Sequence, residues 1–120
     1  MKNLIALVDD DRNILISLEM LLRKEEFEIH TYSDGQSALI GMSRYPPELA
    51  VIDIKMPKMD GYELFKKIRE KTEIPVIFLT SKDQDADRLK GLMHGVDSYV
   101  TKSGNFSKEI LIETIKNTLN

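Results

Sequence analysis

The chain contains no cysteine, which excludes a disulfide framework and a thiolate-ligated metal site. It also has no long hydrophobic run at its start, where Leu4 to Val8 supplies five apolar residues before Asp9 interrupts them. That is too short for a membrane span and wrong for a signal peptide, so no membrane role is expected and the location is expected to be cytoplasmic. Excess basic charge is missing too: 17 basic residues stand against 20 acidic ones, a net charge of −3, and direct nucleic-acid binding is not expected. Repeats, low-complexity tracts and linkers are absent, so the 120 residues are expected to form one domain over 1–120.

What is present is an ordinary globular balance, 42% hydrophobic and 31% charged, arranged as alternating short apolar runs and amphipathic stretches. The organising run is Leu49 to Asp53, apolar on both faces until its terminal acid, as a buried parallel strand requires. Similar runs are Leu4 to Val8, Glu28 to Tyr32, Ile74 to Leu79 and Ser98 to Thr101. Between them the spacing predicts helices from Asn13 with Asp11 as N-cap, over Gln36 to Ser43, over Tyr62 to Lys71, over Ala86 to His94, and from Ser107 with Leu111, Ile115 and Leu119 inward. Five strand-helix units mean an α/β domain with a five-stranded parallel sheet and five helices, which right-handed crossovers place on both faces.

The strand ends carry the chemistry. Asp9 and Asp10 follow the first run, Asp53 ends the third, Thr80 follows the fourth and Lys102 the fifth. In a parallel sheet these ends share one edge, the edge where open α/β sheets bind their ligands. Alone, each is ordinary: an acidic turn with a helix cap, a hydroxyl cap, a surface lysine. Together, three carboxylates repel unless a cation sits between them, and an all-oxygen set with room for water suits Mg²⁺. Thr80 and Lys102 then become donors for phosphate oxygens. His30 and His94 lack partners at ligand spacing and read as surface or interface histidines. The six methionines read as core filling or surface contact.

The motifs Val8-Asp9-Asp10-Asp11, Asp53, Met56-Pro57-Lys58-Met59-Asp60-Gly61, Thr80-Ser81, Gly95-Val96-Asp97 and Tyr99-Val100-Thr101-Lys102 occur in that order. With them the whole chain resembles the receiver domain of bacterial two-component response regulators. The resemblance implies a flavodoxin-like, doubly wound sheet of order 2-1-3-4-5. It implies that Asp53 accepts a phosphoryl group from a histidine of a sensor histidine kinase or phosphotransfer protein. It implies that Mg²⁺ is held by Asp10, Asp53 and the backbone carbonyl of Lys55, with Asp9 reaching the ion directly or through water. Lys102 pairs with the phosphoryl oxygens, Thr80 and Tyr99 form the switch pair, and Lys55 and Lys82 occupy positions that tune dephosphorylation.

The chain departs from the family where Ser103-Gly104-Asn105 stands in place of the proline usual after Lys102. A trans bond is expected from Lys102 to Ser103, because a cis bond before a non-proline residue costs about 2.5–4 kcal/mol. Thr114 and Ser98 stand where DNA-binding relatives usually carry an arginine and an acid, so a monomer or weak dimer is expected, whatever the part played by Arg88, Lys90, Asp97 and Glu113. The first helix holds more apolar residues than one stripe needs. Asn13, Ile14, Leu15 and Leu18 are thus either a kinase-docking surface or a wide core face.

The leading functional expectation is a phosphorylation-controlled binding switch, a single-domain regulator or isolated receiver acting on a downstream protein target or a missing output domain. It is no enzyme beyond its own phosphorylation and dephosphorylation. One alternative is the receiver fragment of a DNA-binding transcriptional regulator. Another is an aspartate-nucleophile phosphatase, against which Asp53-Ile54-Lys55 lacks the second acid of an Asp-x-Asp motif.

Overall fold

The computed structural model describes residues 2–80, 98–101 and 108–119. Five parallel strands, β1 (Leu4–Val8), β2 (Glu28–Tyr32), β3 (Leu49–Asp53), β4 (Val76–Thr80) and β5 (Ser98–Thr101), form one sheet in the order β2-β1-β3-β4-β5. The described helices are α1 (Arg12–Lys24), α2 (Gly35–Arg44), α3 (Gly61–Arg69) and α4 (Lys108–Leu119). The helix expected over 86–94 lies outside the described residues. The doubly wound order expected from the resemblance is the order found.

Alternation along the strands builds two cores. From β1, β3 and β4, the residues Ala6, Val8, Ala50, Ile52, Val76 and Phe78 face α2 and α3. Ile5, Leu7, Leu49, Val51, Ile77 and Leu79 face α1 and α4. Every residue of β3 is buried, which is why its sequence shows no polar alternation before Asp53.

Helix ends follow local chemistry. Asp11 accepts from Asn13 N at 2.9 Å and caps α1. At the other end Glu26 takes φ 69°, and the amides of Glu26 and Phe27 donate to Arg23 O and Leu22 O. That is a Schellman stop, with Phe27 and Leu22 in the same core. Asp34 caps α2 through Ser37 N at 2.7 Å, and Asp60 caps α3 through Glu63 N at 2.9 Å.

Two sequence expectations need correction, and one left open is decided. The helix expected to run to Lys71 ends at Arg69, where Lys71 N and Thr72 N both turn back to Ile68 O at 3.0 Å. The fourth strand begins at Val76 rather than Ile74. Pro75 has no amide to enter the ladder, so only its carbonyl takes part, accepting from Ala50 N at 3.0 Å. Leu15 and Leu18 are core residues, 6% and 1% exposed, so the wide-core account of that helix holds for them. The exposed apolar residues of α1 are Ile16 and Met20.

Candidate functional site

β1 and β3 are neighbours in the sheet, with Val8 in register with Ile52. The residues that follow, Asp9 and Asp53, therefore emerge side by side at the carboxyl edge. Asp9 is 1% exposed and Asp53 6%, the two buried charged residues among those described. Asp9 N extends the ladder to Tyr32 O at 3.1 Å, and the Asp9 carboxylate accepts from Asp11 N at 2.9 Å. Asp10 is exposed and turns back toward the same point. Carboxylate oxygens of Asp9, Asp10 and Asp53 all lie within 4.8 Å of one another. Asp11, the fourth acid in the neighbourhood, serves as the α1 cap instead.

The donor set fits a small hard cation. It is all oxygen, two of its three carboxylates are buried, and the third opens to solvent. Ligands at about 2.0–2.1 Å span about 4.2 Å across an octahedral Mg²⁺. The three carboxylates, within 4.8 Å of one another, lie close to that span.

The loop after Asp53 is tightly held. Ile54 N donates to Leu79 O at 3.1 Å, and Gly61 N donates to Ile54 O at 2.8 Å, closing the loop on itself. Ile54 and Met56 are buried on either side of the exposed Lys55. A Cβ at Gly61 would lie 2.5 Å from Asp53 O and 2.8 Å from Ile54 Cα. Only glycine lets the first residue of α3 approach the end of β3 so closely. Lys58 holds the left-handed turn at φ 68°, and Met59 N donates back to Pro57 O at 2.8 Å. At the neighbouring helix end, the Ser37 amide and hydroxyl hold the Asp34 carboxyl below the usual carboxylate range, with a smaller contribution from Lys58.

The structure thus brings together Asp9, Asp10 and Asp53 and sets Lys55 in the loop directly after them. Thr80 ends β4 in register with Thr101, and Tyr99 lies in β5 in register with Phe78. The side chains of Thr80 and Tyr99 lie outside what is described. So do Lys102, Lys82, the Lys102–Ser103 bond, Arg88, Lys90, Asp97 and His94. His30 is half-buried with its ring edge-on to Tyr45 at 5.3 Å between centroids. Sequence reasoning missed the close approach at Gly61, for which Asp60-Gly61 read only as a turn. A cap residue followed by a buried glycine at the start of an apolar helix is the signal that was there.

A cavity of about 220 Å³ opens between the last turns of α2 and α3, lined by Leu39, Met42 and Ile68 among others. It lies away from the acids and holds none of the chemistry. Among the described residues no helix is long and apolar enough to cross a membrane.

The response regulator receiver domain family model matches residues 5–116. A response regulator protein, TrrA, from Thermotoga maritima, solved in complex with Mg(2+)-BeF, is 35% identical with a TM-score of 0.86, covering 99% of this chain and 100% of that one. A CheY-like response regulator receiver domain protein from Methanospirillum hungatei is 30% identical with a TM-score of 0.87, covering 99% and 94%. The signal receiver domain of a signal transduction histidine kinase from Syntrophus aciditrophicus is 28% identical with a TM-score of 0.84, covering 98% and 89%.

Proposed function

The chain belongs to the response regulator receiver domain family, and from that membership we propose that it is a Mg²⁺-dependent phosphoryl switch whose acceptor is Asp53. The observation that carries the proposal is the convergence of Asp9, Asp10 and Asp53 within 4.8 Å at the carboxyl edge of the sheet.

In this reading a carboxylate oxygen of Asp53 attacks the phosphorus of a phosphohistidine on a sensor histidine kinase or phosphotransfer protein. The P–N bond breaks, an O–P bond forms, and the ring nitrogen keeps the P–N electron pair, leaving as neutral imidazole with one ring proton, carried on its other nitrogen or taken from water. Water later attacks the acyl phosphate, returning inorganic phosphate and the Asp53 carboxylate. Asp9, Asp10, Asp53 and the Lys55 carbonyl would hold Mg²⁺, which when bound offsets the charge gathered on the phosphoryl oxygens. Asp9, held by its bond from Asp11 N, orients the site before the donor arrives. Burial of Asp53, 6% exposed, limits its access to water. Lys102 as phosphoryl-oxygen donor and Thr80 with Tyr99 as switch pair rest on the motif match.

The resemblance to the Thermotoga protein, whose structure holds Mg(2+)-BeF, supports the metal assignment. The proposed output is binding to a protein target or an attached output domain, not turnover of small substrates. Incubation with acetyl phosphate and Mg²⁺, read by intact mass, tests it. One added phosphoryl group is expected, none in Asp53→Asn, and none after chelation of the metal. Undiminished incorporation by Asp53→Asn would sink the assignment, and rapid turnover of many phosphate esters would make the protein an enzyme.

A further inference from the structure

The loop between Asp53 and α3 leans on α2 as well. Gly35 is the first residue of α2 and is buried. A Cβ there would lie 2.6 Å from Met59 Sδ and 3.1 Å from both Met59 Cβ and Met59 Cγ. The backbone of Gly35 has no left-handed φ, so conformation does not call for glycine at this helical position, where alanine is otherwise the better residue. The close approach of Met59 calls for it. The thioether end of Met59 could swing aside, but its Cβ moves only with its backbone, which Lys58 at φ 68° and the bond from Met59 N to Pro57 O hold in a tight turn.

The seat itself is rigid. Asp34 caps α2 twice over, accepting from Ser37 N at 2.7 Å and from Ser37 Oγ at 3.1 Å. The loop is therefore held at its two ends by the Ile54–Gly61 bond and near its apex by Met59 resting on Gly35.

We propose that Gly35 is a positioning residue for the metal centre, acting through Met59 to set the loop that carries Lys55. The proposal rests on the reading of the acids as a Mg²⁺ site. A methyl group at Gly35 displaces Met59, the loop shifts with it, and the Lys55 carbonyl, two residues after Asp53 in that loop, shifts too. No acid is touched.

Calorimetric titration of the full chain with Mg²⁺, with no phosphoryl donor present, tests this. Gly35→Ala is expected to weaken Mg²⁺ about tenfold, the scale of groups that orient metal ligands. Met59→Ala, which removes the seated side chain, is expected to weaken it as well. On the Met59→Ala background, Gly35→Ala should change affinity by less than about twofold, because the two act through one contact. Wild-type affinity in Gly35→Ala, or a full penalty that persists on the Met59→Ala background, overturns the proposal. Should Gly35→Ala fail to fold, unchanged affinity in Met59→Ala overturns it on its own. Absence of Mg²⁺ binding by the wild-type chain overturns the metal-site reading beneath it, a different result from normal wild-type binding with unaffected variants.

Discussion

The two faces of the sheet are built from different side chains. Toward α1 and α4 the buried residues are leucine, isoleucine and valine, with Phe27 the single aromatic among those described. Toward α2 and α3 small residues, Ala6, Ala38 and Ala50, lie among Tyr62, Phe65 and Phe78 and two methionines. The Phe78 ring sits 5.9 Å from Tyr62 and 5.7 Å from Phe65, and Arg69 lies over Phe65 at 4.8 Å. The loop after Asp53 turns into this second face, through Ile54, Met56 and Met59. On the first face the helices run parallel and meet at their rims, Lys108 with Ser17 and Lys116 with Glu25. The comparison teaches that β3 itself is packed on both faces, through Leu49 and Val51 on one and Ala50 and Ile52 on the other, while the loop after Asp53 is tied to the α2–α3 face alone. Damage to the α2–α3 face should reach the site, while damage to the α1–α4 face should reach only stability.

The largest effects come from the two cores. Phe78→Ala is expected to cost about 3–5 kcal/mol and also to weaken Mg²⁺, because the lost ring supports Tyr62 next to Gly61. Leu18→Ala should cost about 2–5 kcal/mol and leave Mg²⁺ affinity alone. Urea unfolding beside Mg²⁺ titration reads both quantities. An equal loss of affinity in the two variants breaks the comparison.

A smaller effect separates two neighbours in one acidic run. Asp11→Ala removes the α1 cap and should cost about 0.5–2 kcal/mol with Mg²⁺ binding kept, since the bond to Asp9 comes from the Asp11 backbone amide. Asp10→Ala should show the reverse pattern, a stable fold with Mg²⁺ binding lost. Retained metal affinity in Asp10→Ala would place the ligand elsewhere.

Smaller again is Glu26→Gly. Glycine at the left-handed stop of α1 relieves strain of about 1–2 kcal/mol but adds chain entropy to the unfolded state, leaving a gain of about 0.5–1 kcal/mol. A lower midpoint in urea would contradict the Schellman account of that terminus.

The smallest effect concerns acid. The Asp34 carboxyl is held below its ordinary range chiefly by the Ser37 amide and hydroxyl. A carboxyl depressed on folding adds stability above its unfolded pKa and loses it as pH falls through the folded value. Asparagine caps equally well without the charge, so melting of Asp34→Asn should fall less steeply than wild type on the acid side. Parallel acid limbs in the two proteins would show that the charge contributes nothing.

Much of the architecture was legible because it depends on short-range pattern. A strand buried on both faces must be apolar throughout, so Leu49 to Ile52 announced itself, and an acid ending such a strand in a parallel sheet has one edge to occupy. The caps at Asp11 and the run of strand-end acids followed from residue type and spacing. Tertiary structure decided what depends on distance between segments remote in sequence. Leu15 and Leu18 could have been surface or core by pattern, and only the packing of α1 on the sheet placed them at 6% and 1% exposure. Pairing across the sheet set where β4 begins: Ala50 is in register with Val76, and Pro75, which has no amide, enters only through its carbonyl to Ala50 N. Nothing local distinguishes Gly35 from a turn glycine. Its role appears when Met59, far along the chain, comes within 2.6 Å of where a side chain would begin, because steric exclusion acts through space and leaves no periodic trace in the sequence.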